Sequence, residues 1–180
     1  MHEIDSPSQW VRRWAGLIAP RGRVLDVACG TGRHVRYLRG LGLRVVAVDR
    51  AAAALENLKG IEGVEVLAAD IESGPWPFPS AAFDAVVVTN YLHRPLFPSL
   101  VDALRQGGVL IYETFAEGNE LYGKPSNPNF LLRRDELLEQ LRGLSVIAFE
   151  QGFVASPKPA VIQRICAVRG ASEPQRLDSA

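Results

Sequence analysis

The chain has 180 residues, 47% of them hydrophobic, enough for one domain with a sizeable core. Twenty Lys and Arg balance twenty Asp and Glu, which excludes the whole-molecule basic field of many nucleic-acid binders. Two cysteines, Cys29 and Cys166, are too few for a disulfide framework and too far apart for a metal motif, so no metal is expected.

Ser6-Pro7-Ser8-Gln9 reads as a helix start, with Ser6 as N-cap, Pro7 at the first position and Gln9 closing a capping box. Trp10, Val11, Trp14, Leu17 and Ile18 follow on one face at helical spacing, so residues 1–20 are expected to carry a covering helix whose tryptophans pack rather than bind. From Val24 strands and helices alternate: strand 24–28, helix 33–41, strand 44–49, helix 51–58, strand 64–69. The rhythm then breaks. Three prolines in Gly74-Pro75-Trp76-Pro77-Phe78-Pro79 are incompatible with a helix interior, so a loop replaces or truncates the next crossover helix.

The almost wholly apolar run 84–89 predicts a strand buried on both faces. A helix over 96–105, a Gly107-Gly108 turn and a strand over 109–115 follow. Residues 116–130 have no apolar period; a loop of this length reads as a lid over a substrate pocket, or as an ordered surface loop built on turn-forming asparagines. A helix over 133–142 and strands over 145–154 and 161–168 complete a single domain of residues 1–170, and the tail 171–180 is expected to be disordered. Met1-His2-Glu3-Ile4-Asp5 is not a basic-then-apolar signal, and no apolar run approaches the roughly 20 residues of a membrane span. A cytoplasmic, reduced protein with no membrane partner is the expectation.

The chemistry concentrates where the first strand meets its helix. Gly30 and Gly32 suit a turn whose backbone approaches a ligand, and Asp49, closing the second strand, is placed to accept from two ribose hydroxyls. A dinucleotide fingerprint wants a third glycine where Val35 stands, and it seats an anionic pyrophosphate where this chain has Asp26. An acid there suits a ligand with a positive amino group and no phosphate.

Asp26-Val27-Ala28-Cys29-Gly30-Thr31-Gly32 resembles the first motif of the class I S-adenosylmethionine-dependent methyltransferases, with Ala28 where many members have glycine. Asp49 matches the family's ribose acid, Ala69-Asp70-Ile71 its third-strand adenine motif, Phe83 to Asn90 its fourth strand, and Gly107-Gly108-Val109-Leu110 the start of its fifth. The resemblance covers residues 22–170. It implies an α/β fold: a three-layer, Rossmann-like doubly wound sheet, mostly parallel, of seven strands with an antiparallel last strand. It implies S-adenosylmethionine as cofactor, held by Asp26, Ala28, Gly30, Gly32, Asp49, Arg50, Asp70, Ile71 and Asn90.

Methyl transfer needs an acceptor lone pair brought in line behind an already activated methyl, so positioning supplies much of the rate. In this fold the candidates after the fourth strand and at the end of the fifth face the methyl. Tyr91, His93 and Tyr112 are the expected catalytic residues, with His93 as a base or a hydrogen-bonded loop residue, and Glu113 either orients substrate or pairs with an arginine. Thr89-Asn90-Tyr91-Leu92-His93 lacks the Pro-Pro motif of amino-group methylases, and a small-molecule acceptor is the favoured expectation. The alternatives are an RNA acceptor, suggested by residues 1–50 with nine Arg against four acids, and a catalytically inactive S-adenosylmethionine-binding partner protein. A nicotinamide-dependent oxidoreductase is disfavoured by Val35 and Asp26.

Overall fold

The computed structural model describes residues 6–170; the expectations for Met1–Asp5 and for the tail 171–180 lie outside them. Seven strands form one sheet: β1 (Arg23–Val27), β2 (Arg44–Asp49), β3 (Val64–Ala68), β4 (Phe83–Thr89), β5 (Leu104–Phe115), β6 (Leu144–Val154) and β7 (Ala160–Arg169). Their order is β3-β2-β1-β4-β5-β7-β6. Pairs β1–β2, β1–β4, β2–β3 and β4–β5 are parallel, while β7 runs antiparallel to both β5 and β6. The chain therefore reverses its winding between β3 and β4. That reversal opens a crevice at the carboxyl ends of β1 and β4, where such sheets bind ligands.

The helices are α1 (Gln9–Trp14), α2 (Arg33–Gly40), α3 (Ala52–Leu55), α4 (Phe97–Ala103) and α5 (Glu136–Gln140). Successive strand residues point to opposite faces, and the burial divides accordingly. Leu25, Val46, Val86 and Leu110 pack with Phe97, Leu100 and Leu137 of α4 and α5. Val24, Val45, Val87 and Ile111 pack with Trp10, Trp14, Val35 and Leu55 of α1, α2 and α3. Both faces are covered, which gives three layers and explains the unbroken apolar runs.

Four boundaries differ from the sequence reading. Ser8, not Ser6, caps α1: its hydroxyl accepts from Trp10 N at 3.0 Å and Val11 N at 3.4 Å, and the helix is six residues followed by a 3₁₀ turn at Ala15–Leu17. The cap sits at Ser8 because the same hydroxyl donates to Glu113 Oε1 at 2.7 Å, a tertiary bond that local capping patterns do not contain. The expected helix over 51–58 is one α turn and one 3₁₀ turn. The expected helix over 133–142 shortens to α5. Strand β5 starts five residues early, at Leu104.

No helix joins β3 to β4. The proline segment instead packs Trp76 on Phe78 and Phe78 on Phe83, ring centroids 5.1 and 5.4 Å apart in edge-to-face pairs, so aromatic area covers the strands where a crossover helix would lie. Among the described residues no helix is long and apolar enough to cross a membrane.

Candidate active site

A cleft of about 370 Å³ opens at the crevice, lined by Ala28, Asp49, Arg50, Ala69, Asp70, Ile71, Glu72, Asn90, Tyr91, Leu92, Thr114, Phe115, Pro125 and Phe130. Seven of the residues expected to hold the cofactor or to act in catalysis therefore share one wall: Ala28, Asp49, Arg50, Asp70, Ile71, Asn90 and Tyr91.

The turn after β1 is a strained one. Ala28 has φ of +51°, a left-handed conformation at a residue with a Cβ. Gly30 (φ +54°) has nothing within 4 Å of where a Cβ would stand, whereas a Cβ on Gly32 (φ +81°) would lie 2.5 Å from Leu58 Cδ2. The two glycines thus serve different ends. Gly30 has open space beside it and bonds the cleft residue Asp49, and Gly32 lets α2 approach the segment after α3; neither glycine lines the cleft, and the expectation that both face a ligand is corrected for Gly32. Val35, where a dinucleotide site carries its third glycine, is fully buried in the core.

Asp49 is oriented by the same turn. Gly30 N donates to its Oδ2 at 2.8 Å and Ala51 N to its Oδ1 at 2.9 Å, which leaves each oxygen a further lone pair for hydroxyl donors. One strand further, Asp70 Oδ1 accepts from Glu72 N at 3.0 Å and Ser73 N at 3.1 Å. Those backbone N–H groups, Ser73's first, hold its carboxyl below the usual carboxylate range. Asp70 is thus both a turn cap and a cleft residue.

Asp26, two residues before Ala28, is not among the residues that line the cleft; it is 1% exposed, with Oδ2 lacking any hydrogen-bond partner. Burial pushes its carboxyl up to about 7, with Arg33 opposing and Asp49 adding to the rise. A buried acceptor without a donor suits a cationic ligand group, and the open space at Gly30 and the free lone pairs of Asp49 suit an adenosyl group; the residues present fit S-adenosylmethionine.

The expected catalytic residues separate. Tyr91 lines the cleft with its hydroxyl buried and unpartnered; burial, and then nearby Glu72, raise its pKa, so the phenol stays neutral. His93 does not line the cleft, and its Nδ1 stands 3.8 Å from Glu72 Oε2. Tyr112 faces the core: it is 1% exposed, stacks on Phe97 at 5.6 Å, and donates its hydroxyl to the Tyr91 carbonyl at 2.8 Å. Its expected contact with substrate is corrected to support of Tyr91, because β5 alternation turns residue 112 toward α4. Glu113 pairs with Arg164 at 3.2 Å and accepts from Ser8 Oγ.

Six cleft residues are not among those expected to bind or react: Glu72, Leu92, Thr114, Phe115, Pro125 and Phe130, the last two in the loop 116–130 read as a lid. Glu72 follows the Asp70 turn with no motif of its own. The loop that supplies Pro125 and Phe130 carries no periodicity, yet it is pinned. Buried Asn119 donates to Pro125 O at 3.0 Å and accepts from Val161 N at 3.2 Å, and Leu132 N donates to Phe115 O at 3.0 Å.

Buried His34 ties α2 to two other elements. Its Nε2 accepts from Ser8 N at 3.0 Å, so the ring proton is on Nδ1, 3.3 Å from Thr89 Oγ1. Burial, assisted by Arg33, lowers its pKa to about 3 and keeps it neutral. Among the described residues no group of three His, Cys, Asp or Glu gathers in a way that could hold a metal ion.

Residues 24–108 match a family model described as a methyltransferase domain. The chain is 34% identical over 160 residues to a tRNA U34 carboxymethyltransferase of Shewanella denitrificans, a match covering 73% of this chain and 48% of that protein. It is 39% identical over 101 residues to a protein-L-isoaspartate O-methyltransferase of Methanoculleus marisnigri, covering 52% of this chain and 44% of that one. The chain thus spans about half the length of the curated relatives it matches. Among solved structures, TehB from Haemophilus influenzae superposes with a TM-score of 0.76 at 18% identity, over 91% of this chain and 62% of that one, which shows a shared fold.

Proposed function

We propose that this chain, whose residues 24–108 match a methyltransferase domain, transfers a methyl group from S-adenosylmethionine to an RNA acceptor bound at the cleft. The observation that carries the transfer is the shared cleft lining of Asp49, Asp70 and Tyr91, from the carboxyl ends of β2, β3 and β4. The RNA acceptor is supported by relatives such as those of Shewanella and of Methylococcus capsulatus, at 34% and 36% identity, named for carboxymethyl transfer at tRNA U34. It displaces the small-molecule acceptor favoured by the sequence alone.

The cofactor supplies an electrophilic methyl on a sulfonium. Asp49 and Asp70 would hold the adenosyl part, as hydroxyl and amino acceptors, with Ile71 packing on the base. Asp26 would face the amino group. Tyr91, a neutral phenol, donates to the acceptor and orients it. Asp49 and Asp70 already accept from backbone N–H groups, so Glu72 is the lining carboxylate left to take a proton from the acceptor, with His93 behind it. His93 is on this reading a positioning residue.

Two measurements test this. S-adenosylhomocysteine should raise the melting temperature while NAD does not, and Asp49→Ala should weaken its binding at least tenfold, about 1.4 kcal/mol. Radiolabelled methyl from S-adenosylmethionine should enter unfractionated tRNA, and Glu72→Gln should lower kcat with binding of S-adenosylhomocysteine unchanged. Label appearing only in small metabolites of an extract would return the acceptor to the small-molecule class. Tight ligand binding with no transfer to any extract would mark an inactive binder.

A further inference from the structure

We propose that Tyr122, Phe130 and Phe153 form a base-stacking platform that leads a single-stranded stretch of RNA to the mouth of the cleft; the inference rests on the RNA reading of the acceptor. The three rings are 49%, 53% and 55% exposed. Isolated apolar side chains at a surface are ordinary, but Tyr122 and Phe153 meet across two segments, with centroids 4.9 Å apart and planes at 40°. Phe130, eight residues on in the same loop as Tyr122, lines the cleft with Pro125.

The supports are rigid. Asn119 clamps the loop to β7 through Val161, and Ala116 N adds a bond to Val161 O at 2.9 Å. At the other end Arg94 donates to Asn129 O at 2.9 Å and Leu131 O at 2.8 Å while fully buried Glu136 grips it at 2.7 and 2.9 Å. Rings held this way lose little freedom when a base stacks on them.

Charge favours a nucleic acid over a protein surface. The stretch 121–134 contains Lys124, Arg133 and Arg134 and no acid, and the stretch 151–163 contains Lys158 and no acid. Arg133 and Arg134 pair with Glu136 and Asp135, whereas among the described residues Lys124 and Lys158 make no ion pair. In a chain of zero net charge, these two segments interleave aromatic residues with unpaired lysines. That is the composition with which single-stranded nucleic acids are bound, bases on π-faces and phosphates on cations.

The test is binding of a fluorescein-labelled single-stranded RNA of about 12 nucleotides, and of unfractionated tRNA, to the full chain saturated with S-adenosylhomocysteine. Tyr122→Ala, Phe130→Ala and Phe153→Ala should each weaken binding about five- to fiftyfold, and Tyr122→Phe should restore it. Lys124→Glu and Lys158→Glu should each lower the salt dependence by about one ion. Unchanged melting temperatures and S-adenosylhomocysteine affinities for the Tyr122 and Phe153 variants report intact folding. A triple alanine variant that binds RNA as tightly as the wild type overturns the platform and leaves the RNA reading standing. A wild type that binds neither RNA at low salt, yet binds S-adenosylhomocysteine, overturns both. A wild-type dimer that becomes monomeric in the triple variant, with RNA binding unaltered, assigns the face to a second copy of the chain instead.

Discussion

The hydroxyl of Tyr112, inside the core, donates to the carbonyl of Tyr91, on the cleft wall, at 2.8 Å. A residue of the core thereby fixes the backbone of one that lines the cleft. Tyr112→Phe keeps the ring stacked on Phe97 but leaves the Tyr91 carbonyl without its donor. The expected loss is about 1–2 kcal/mol in urea unfolding, with affinity for S-adenosylhomocysteine within about twofold. If methyl transfer is abolished with no loss of stability, the hydroxyl has a direct role.

Asp26 imposes a pH dependence. Its folded-state pKa is raised, to about 7 from 3.8, so the folded protein holds this proton more tightly than the unfolded chain does. Stability from this group is therefore greatest below the unfolded value and falls as pH rises toward the folded one, by a few kcal/mol. Asp26→Asn should flatten the stability profile between about pH 4 and 7, and should raise the melting temperature at pH 8. Binding should respond oppositely: S-adenosylhomocysteine, with its cationic amino group, should bind more tightly to the wild type as Asp26 ionises through pH 7. Isothermal titration across that range should show the trend in the wild type and lose it in Asp26→Asn.

Ala28 holds a left-handed conformation that costs an alanine about 1–2 kcal/mol relative to glycine. Part of that is offset by the greater freedom glycine has when unfolded. Ala28→Gly should raise stability by about 0.5–1 kcal/mol, read as the shift in urea midpoint at constant slope. Destabilisation would mean that the methyl contributes packing beyond the turn.

The motif acids were legible in the sequence because they lie at the ends of apolar runs, and such runs allow one register. Val45-Val46-Ala47-Val48 must be a strand buried on both faces, which fixes Asp49 at its mouth. Asn90 follows β4 by the same argument, whereas Asp70 follows the half-exposed edge strand β3. Tyr112 was misassigned because a tyrosine near a strand end suits either face; a backbone carbonyl 21 residues away decides it. Glu72 and Phe130 stayed hidden because their positions depend on turn bonds and on the Arg94–Glu136 pair, which carry no periodic signal. The cap at Ser8 rather than Ser6 has a related cause: the partner of its hydroxyl is 105 residues distant.

That distance matters for the order of assembly. α1 is fastened by Ser8 to Glu113, by Arg13 to Glu150 and by Trp10 Nε1 to the carbonyl of Ile165, 155 residues downstream. During synthesis the helix leaves the ribosome well before the strands it covers, and Trp10 lacks its hydrogen-bond acceptor, the carbonyl of Ile165, until β7 has emerged. The early segment is thus among the last to dock. A nascent chain stalled before residue 165 would keep Trp10 and Trp14 accessible to chaperones and proteases, and tryptophan burial would report completion of the sheet.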